Sequence, residues 1–120
     1  MRTSIIIPVY NEEESIGFVL EGIPNKEVYE ILVVDGGSTD NTVNIATAYG
    51  TQVIHEPRRG YGRACAAGLE AAHGEIVVFL DGDGADDPTQ IPELIAPLLS
   101  GQADLVLGSR LAGNIHPGEV

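Results

Sequence analysis

Short apolar runs alternate with polar, glycine-bearing segments along this sequence. The runs TSIIIPV at residues 3–9, VYEILVV at 28–34, QVIH at 52–55 and IVVFL at 76–80 are mostly apolar, and ADLVLGSR is a later run of the same kind. Apolar runs of this length are typical of strands that are buried on both faces of a parallel sheet. The pattern therefore predicts five buried strands.

The segments between the strands carry helix signals. Asn11, followed three positions later by Glu14, has the form of a capping box, and Gly50 and Gly74 stand where glycine commonly ends a helix. The first predicted helix runs from about residue 12 to 21. The second ends at residue 49, the third ends at residue 73, and the fourth begins at residue 88. Strands that alternate with helices predict an α/β fold, with a mostly parallel sheet covered by helices on both faces.

Every predicted strand is followed by a polar segment that could bind a ligand. These segments are PVYNEE, DGGSTD, EPRRGYG, DGDGADD and GSR. In open α/β sheets, ligands bind beside the carboxyl ends of the strands, which share one edge of the sheet. We therefore expect these segments to contribute to a single site.

Length, charge and composition restrict the class of protein. The chain has 120 residues, enough for one globular domain, and no apolar run approaches the length of a membrane span. A net charge of −12 argues against a polyanionic partner such as nucleic acid. The start MRTSIIIPVYNEE lacks the form of a secretory signal, and the lone Cys65 fits a core thiol in a reducing compartment. We expect a cytoplasmic protein.

Four aspartates follow the fourth predicted strand. Asp81 and Asp83 are separated by Gly82, whose missing side chain lets the backbone approach a ligand closely. A pair of oxygen ligands suits Mg²⁺ or Mn²⁺ that is bound together with substrate phosphates. Asp86 and Asp87 have an alternative role as helix-start residues, which is favoured for Asp87 and evenly balanced for Asp86.

Half of the six positive side chains lie close together in the sequence. Arg58, Arg59 and Arg63 fall within six residues, just before a predicted helix. One guanidinium group can donate two parallel hydrogen bonds to phosphate oxygens, and the N-terminus of a helix attracts anions. The cluster predicts a small anion site, with a solvated loop as the alternative.

The same loop half-matches the dinucleotide-binding pattern. Gly60 and Gly62 fit its first glycines, Cys65 takes the third small position, and Asp81 lies 19 residues past Gly62, near the distance of a ribose-binding acid. We rank this alternative lower, because EPRR separates the strand from the first glycine.

Five segments together resemble a known family. IIIPVYNEEESI, EILVVDGGSTDNT, EPRRGYGRACAAG, EIVVFLDGDGADDP and DLVLGSR occur in the order and spacing of the family 2 glycosyltransferases with the GT-A fold. The similarity is greatest to the branch that transfers sugars to polyprenyl (dolichyl) phosphates, and it extends from Ser4 to about Arg110. It implies a GT-A-like nucleotide-sugar-binding domain at residues 1–110, with residues 111–120 as a loose tail or the cut edge of a longer catalytic domain.

The resemblance also implies roles for individual residues. In the family, an acid matching Asp35 lies beside the nucleobase, and a basic side chain in the loop matching Arg58, Arg59 and Gly60 lies near the donor. Asp83 and Arg110 are implied as catalytic, Asp83 as a ligand of the catalytic metal and Arg110 facing the acceptor phosphate. The resemblance further implies that Pro8, Tyr10 and Glu12 line the nucleoside pocket. It implies that Asp81 and Asp83 bind the metal and the diphosphate.

The implied activity is inverting transfer of a sugar from a UDP- or GDP-sugar, with Mg²⁺ or Mn²⁺, to an acceptor such as a polyprenyl phosphate at a membrane surface. The alternatives are a non-catalytic nucleotide-binding fragment and, at lower rank, a sugar-phosphate nucleotidyltransferase or a dinucleotide-binding domain. A nucleotidyltransferase normally opens with a glycine-rich, arginine-bearing loop, which PVYNEE is not.

Two departures from the family pattern affect these expectations. The family often has two adjacent acids after the second strand, and here the pair is Asp35 and Gly36. This leaves the choice between UDP and GDP open. The acceptor-binding helices of the family have no counterpart after Arg110, so we expect a truncated enzyme whose exposed apolar surface would favour a homo-oligomer.

Overall fold

The computed structural model describes residues 2–24, 28–58, 60–83 and 106–107, with residues 61, 106 and 107 described by their backbone alone. Strands and helices alternate along this part of the chain, and every strand pair is parallel. The α/β prediction is therefore confirmed. The elements are β1 (Thr3–Val9), α1 (Ile16–Gly22), β2 (Val28–Asp35), α2 (Thr42–Ala48), β3 (Gln52–His55), α3 (Tyr61–Ala71), β4 (Ile76–Phe79) and β5 (Val106–Leu107).

The order of the strands places a crevice beside β1. The sheet runs β3-β2-β1-β4-β5, so the chain moves outward on one side of β1 and then returns to β4 on its other side. Val9 at the end of β1 pairs with Asp35, and Ile6 pairs with Phe79 on β4. Where successive connections leave in opposite directions, the loops diverge and leave room for a ligand. The carboxyl ends of β1 and β4 are that point in this fold.

Apolar side chains fill both faces of the sheet. Alternate residues of β1 point to opposite sides, so Ile5 and Ile7 belong to one cluster and Ile6 to the other. Helices α1 and α2 cover the first face, whereas α3 covers the second, where Cys65 packs with 3% exposure. The expectation that Cys65 is a core thiol is confirmed.

Helix α3 approaches the sheet closely at Gly68. A methyl group added at this position would overlap Ile6 Cγ2 and lie 3.2 Å from Val34 Cγ2. Both isoleucine and valine are fully buried and branched at Cβ, which limits their freedom to move aside. The distance between α3 and the sheet therefore depends on glycine at this position.

The start of α1 differs from the prediction. The helix begins at Ile16 with Ser15 as its N-cap, and Asn11 has a left-handed backbone with φ of 51°. Asparagine tolerates this conformation better than most residues, and its Oδ1 accepts a hydrogen bond from Thr39 N at 2.8 Å. The capping-box prediction for Asn11 and Glu14 was wrong, because Asn11 binds a neighbouring loop instead of a helix N-terminus.

The predicted end of α3 was also wrong. The helix ends at Ala71, and Ala72 is already extended, two residues before the expected end at His73. Gly74 is not the cap: a Cβ there would lie 2.6 Å from the Arg2 carbonyl oxygen and 2.7 Å from Ser4 Oγ, so glycine permits close contact with β1. The predicted helix from residue 88 lies outside the described residues, and none of the described helices is long and apolar enough to cross a bilayer.

We predict that Gly68→Ala destabilises the fold by about 1–3 kcal/mol, because the added methyl group overpacks the contact between α3 and β1. Urea unfolding would measure the change. Gly62→Ala is the matched control on the same helix, since a Cβ there meets nothing within 4 Å. It should be neutral or stabilise by up to about 1 kcal/mol through helix propensity. Equal effects of the two substitutions would contradict the close-packing explanation.

Candidate functional site

A cleft of about 380 Å³ opens at the carboxyl ends of β1 and β4. It collects residues that lie far apart in the sequence, from the segments that follow four strands, β1 to β4. Seven of the residues that were predicted from the sequence line it, namely Pro8, Tyr10, Glu12, Arg58, Gly60, Asp81 and Asp83. The predicted residues Arg59, Asp86, Asp87 and Arg110 lie outside the described residues.

The loop after β1 forms one wall of the cleft. Tyr10 is 41% exposed and stands beside Gly36, where an added Cβ would lie 3.8 Å from the tyrosine ring. Asn11 N donates to Ser38 Oγ at 2.8 Å, and Glu12 N donates to Thr42 Oγ1 at 2.8 Å. The β1–α1 loop is thus hydrogen-bonded to the loop after β2 and to the first residue of α2, and these bonds hold the backbone that carries Tyr10 and Glu12.

Asp35 lies beneath this wall rather than in the cleft lining. Its carboxylate is 3% exposed and accepts hydrogen bonds from Gly37 N at 3.1 Å and Ser38 N at 3.2 Å. His55 Nδ1 lies 3.6 Å from the same carboxylate. The carboxylate therefore closes the turn after β2, which begins with the cleft residue Gly36. A direct contact between Asp35 and a nucleobase stays a prediction.

The Asp81–Gly82–Asp83 segment forms a second wall of the cleft, next to the end of β1. Gly82 is buried, and a Cβ there would lie 2.6 Å from Val9 Cγ1 and 3.3 Å from the Pro8 carbonyl oxygen. Only glycine therefore lets this segment rest on the end of β1. Asp81 is partly buried and Asp83 is exposed, and both line the cleft.

The carboxylates of the cleft act on one another. Burial raises the pKa of Glu12. The negative charge of Asp83 raises it further, with smaller contributions from Asp40 and Asp81, whereas a hydrogen bond from Ser15 lowers it. A divalent cation would relieve this repulsion. Within residues 2–24, 28–58 and 60–83, no three acidic, histidine or cysteine side chains converge as a metal-binding group. Asp81 and Asp83 would thus need further oxygens from a ligand, as Mg²⁺ sites that include substrate phosphates do.

Glu56 also lines the cleft, although no motif in the sequence indicated it. It is only 6% exposed, and both of its carboxylate oxygens accept hydrogen bonds from Arg58 Nε, at 3.0 and 3.1 Å. Arg58 Nη2 donates to the same group, and Arg58 N donates at 3.2 Å. The i, i+2 spacing of an acid and an arginine across Pro57 was the available signal.

The Glu56–Arg58 pair changes the interpretation of the arginine cluster. Hydrogen bonds from Arg58 lower the pKa of Glu56 despite its burial, so the carboxylate is charged at neutral pH. The positive charge of Arg58 is consequently balanced within the protein. The Arg58 side chain is still 67% exposed, and its guanidinium can donate further hydrogen bonds into the cleft.

Comparison with protein-family models gives a match over residues 4–120 to the family described as glycosyl transferase family 2. The chain belongs to glycosyl transferase family 2. This result favours the glycosyltransferase interpretation over the nucleotidyltransferase and dinucleotide-binding alternatives, and family membership agrees with the residues found in the cleft.

Two curated proteins are similar to this chain over most of its length. An uncharacterized glycosyltransferase of Mycobacterium tuberculosis is 48% identical over 107 residues, covering 89% of this chain and 48% of the relative. The dodecaprenyl-phosphate galacturonate synthase of Rhizobium johnstonii is 34% identical over 122 residues, covering 92% of this chain and 36% of the relative. The chain therefore spans about half, or less, of the length of these relatives.

A solved structure supports the fold assignment. The crystal structure of glucosyl-3-phosphoglycerate synthase from Mycobacterium tuberculosis in complex with Mn²⁺, UDP-glucose and phosphoglyceric acid matches with a TM-score of 0.74 and 36% identity. The match covers 84% of this chain and 40% of that one. The GT-A fold expected from the sequence is confirmed.

We predict that Arg58→Ala raises the pKa of Glu56, because burial still disfavours the carboxylate while its main hydrogen-bond donor is lost. Carbon-13 NMR titration of the glutamate carboxyls would measure the shift. Arg63→Ala is the matched control: Arg63 is a minor, purely coulombic contributor, so its removal should have a smaller effect. An unchanged Glu56 pKa in Arg58→Ala would contradict the pairing.

The pair also has a defined effect on stability. The pKa of Glu56 is lower in the folded state than its ordinary value of 4.5, so the charged pair stabilises the fold above that pH. The difference in unfolding free energy between wild type and Arg58→Ala should be largest at neutral pH, where Glu56 is charged. It should shrink as the pH falls below 4.5 through the folded-state pKa. Urea unfolding at several pH values would test this.

Proposed function

We propose that this chain forms the nucleotide-sugar-binding part of an inverting glycosyltransferase. The observation that carries the proposal is the assembly in one cleft of Asp81 and Asp83 with Tyr10, Glu12 and Arg58, at the crossover point of a parallel sheet. Nucleotide ligands bind at this position in open α/β sheets. Family membership supplies the reaction class, the transfer of a glycosyl group.

The nucleoside of the donor would lie against the wall formed by Pro8 and Tyr10. Tyr10 offers a partly exposed aromatic ring, and the absence of a side chain at Gly36 leaves space beside it. UDP-glucose in the related synthase supports a uridine donor for this chain. Because Gly36 brings no carboxylate, we expect the base to be recognised largely through backbone groups of this wall.

The diphosphate would lie between the aspartate segment and the loop after β3. A divalent cation bound there would stabilise negative charge on the departing nucleoside diphosphate as a Lewis acid. Asp81 and Asp83 supply two carboxylates for it, and Mn²⁺ in the related synthase supports this choice of cation. Arg58 can donate hydrogen bonds to phosphate oxygens from the opposite side while Glu56 holds its guanidinium in place.

For the acceptor we propose a polyprenyl phosphate, at the cytoplasmic surface of a membrane. The name of the Rhizobium relative, a dodecaprenyl-phosphate galacturonate synthase, supports this class. A phosphate acceptor is already an anion, so it needs no general base to remove a proton. Arg110, which the family resemblance assigns to the acceptor phosphate, remains a prediction.

We predict that the chain binds UDP in a Mn²⁺-dependent manner and that Asp81→Ala and Asp83→Ala each weaken this binding by more than about tenfold, since even indirect partners of a bound metal cost that much when removed. Titration calorimetry with UDP and with GDP, each with and without Mn²⁺, would measure it. Glu21→Gln is the matched control, because it removes one negative charge from an exposed position on α1.

Binding that is indifferent to Mn²⁺ and to both aspartates would overturn the metal assignment. Preferential binding of GDP would overturn the uridine assignment and leave the reaction class intact. Equal losses in Glu21→Gln would show that the effect follows net charge rather than the aspartate pair.

We further predict release of UDP when the chain is supplied with UDP-glucose, Mn²⁺ and a short-chain polyprenyl phosphate. A coupled assay for UDP would follow turnover, with Asp83→Ala as the inactive control. Nucleotide binding without any turnover across a panel of donor sugars would favour the non-catalytic alternative over the enzyme.

A further inference from the structure

Ser15 has an unexpected hydrogen-bond partner. It is the N-cap residue of α1, a position where a serine oxygen ordinarily accepts a hydrogen bond from a helix N–H, yet its side chain makes no such bond. Its hydroxyl lies 2.6 Å from the carbonyl oxygen of Gly82. The contacts to Glu12, at 3.4 Å to the carbonyl oxygen and 3.5 Å to Oε2, are longer. Because a hydroxyl has one proton, its donation goes chiefly to Gly82.

The accepting carbonyl is part of the peptide bond that joins Gly82 to Asp83, so it lies between the two aspartates. This peptide is confined on a second side, because the Cα of Gly82 packs so closely on Val9 that a Cβ would lie 2.6 Å from Val9 Cγ1. Steric contact with β1 and the hydrogen bond from Ser15 therefore act on the same residue. Together they restrict the backbone at Gly82, to which both aspartates are directly bonded.

We propose that Ser15 is a positioning residue for the Asp81–Asp83 pair, holding the two carboxylates in the arrangement that takes one divalent cation. This inference rests on the proposed function, since it concerns the same cation. Ser15 itself would not be a ligand. Its hydroxyl acts through the Gly82 carbonyl, and without it the aspartate segment would sample more orientations before a cation binds.

The chemistry of the position explains why a hydroxyl suits it. The group that faces Ser15 is a carbonyl oxygen, so the residue must donate a hydrogen bond. A carboxylate at this position would repel both the carbonyl oxygen and Glu12, whose pKa is already raised by burial and neighbouring acids. Alanine would leave the carbonyl without its donor, whereas threonine keeps the hydroxyl and adds one methyl group.

The test compares Mn²⁺ affinity, by titration calorimetry with Mn²⁺ in the presence of a fixed excess of UDP, for wild type, Ser15→Ala and Ser15→Thr. We expect Ser15→Ala to weaken Mn²⁺ binding by about tenfold and Ser15→Thr to remain within about threefold of wild type. The control is Thr51→Val, which removes a comparable hydroxyl-to-carbonyl hydrogen bond, Thr51 Oγ1 to Ala46 O at 2.9 Å, at the start of β3 and away from the cleft. It should bind Mn²⁺ as wild type does.

Thermal unfolding without metal separates positioning from general destabilisation. Positioning predicts that Ser15→Ala and Thr51→Val lose similar stability while only Ser15→Ala loses Mn²⁺ affinity. Unchanged affinity in Ser15→Ala, or an equal loss in Thr51→Val, would overturn the inference while leaving the proposed function standing. Absence of Mn²⁺ and UDP binding in the wild type would overturn the proposed function and this inference together.

Discussion

The pairing of β1 with β2 on one side and β4 on the other is the constraint on which the cleft depends. The chain leaves β1 toward β2 and β3 and later returns to pair β4 with the free side of β1. The pair Ile6 and Phe79 sets the register, and two residues further along the two strands stand Pro8 and Asp81. The wall with Pro8 and Tyr10 and the wall with Asp81 and Asp83 are therefore neighbours, because β1 lies beneath both.

Short polar side chains hold the loops above this strand. Helices α1 and α2 each have only seven residues, so they add little rigidity of their own. Hydrogen bonds from one loop to another replace it: Ser38 and Thr42 bind the loop after β1, and Ser15 binds the loop after β4. Glycine at position 82 then allows the close contact that these bonds require. The cleft is in this way formed before a ligand arrives.

The sequence predicts the strands and the membership of the cleft better than it predicts the details of the loops. Apolar runs identify the strands because the sheet is buried on both faces, and strand ends share an edge, so Asp81 could be placed near Pro8 without coordinates. The start of α1 was missed because Asn11 makes its hydrogen bond to Thr39, 28 residues away. A local capping signal cannot reveal a partner at that distance.

Glu56 and Ser15 were missed for the same physical reason. Glutamate is seldom buried, and this one is buried only because Arg58 folds back to bind it. The partner of Ser15 lies 67 residues away in the sequence, so no local pattern indicated this contact. Both contacts arise from tertiary structure. Glu56 binds Arg58, and Ser15 binds the segment between Asp81 and Asp83, so each contact involves a motif that the sequence had already identified.

The charge distribution of the cleft determines how a diphosphate can bind under the proposed function. The chain carries a net charge of −12, and Glu12, Asp81 and Asp83 share the cleft with Arg58, whose charge Glu56 already balances. A diphosphate alone would meet a negative potential there. A divalent cation on the two aspartates reverses the sign at the point where the phosphates must lie, because its charge is the largest in the site. Cation and diphosphate should therefore bind cooperatively, each raising the affinity of the other by the same factor, as linkage requires.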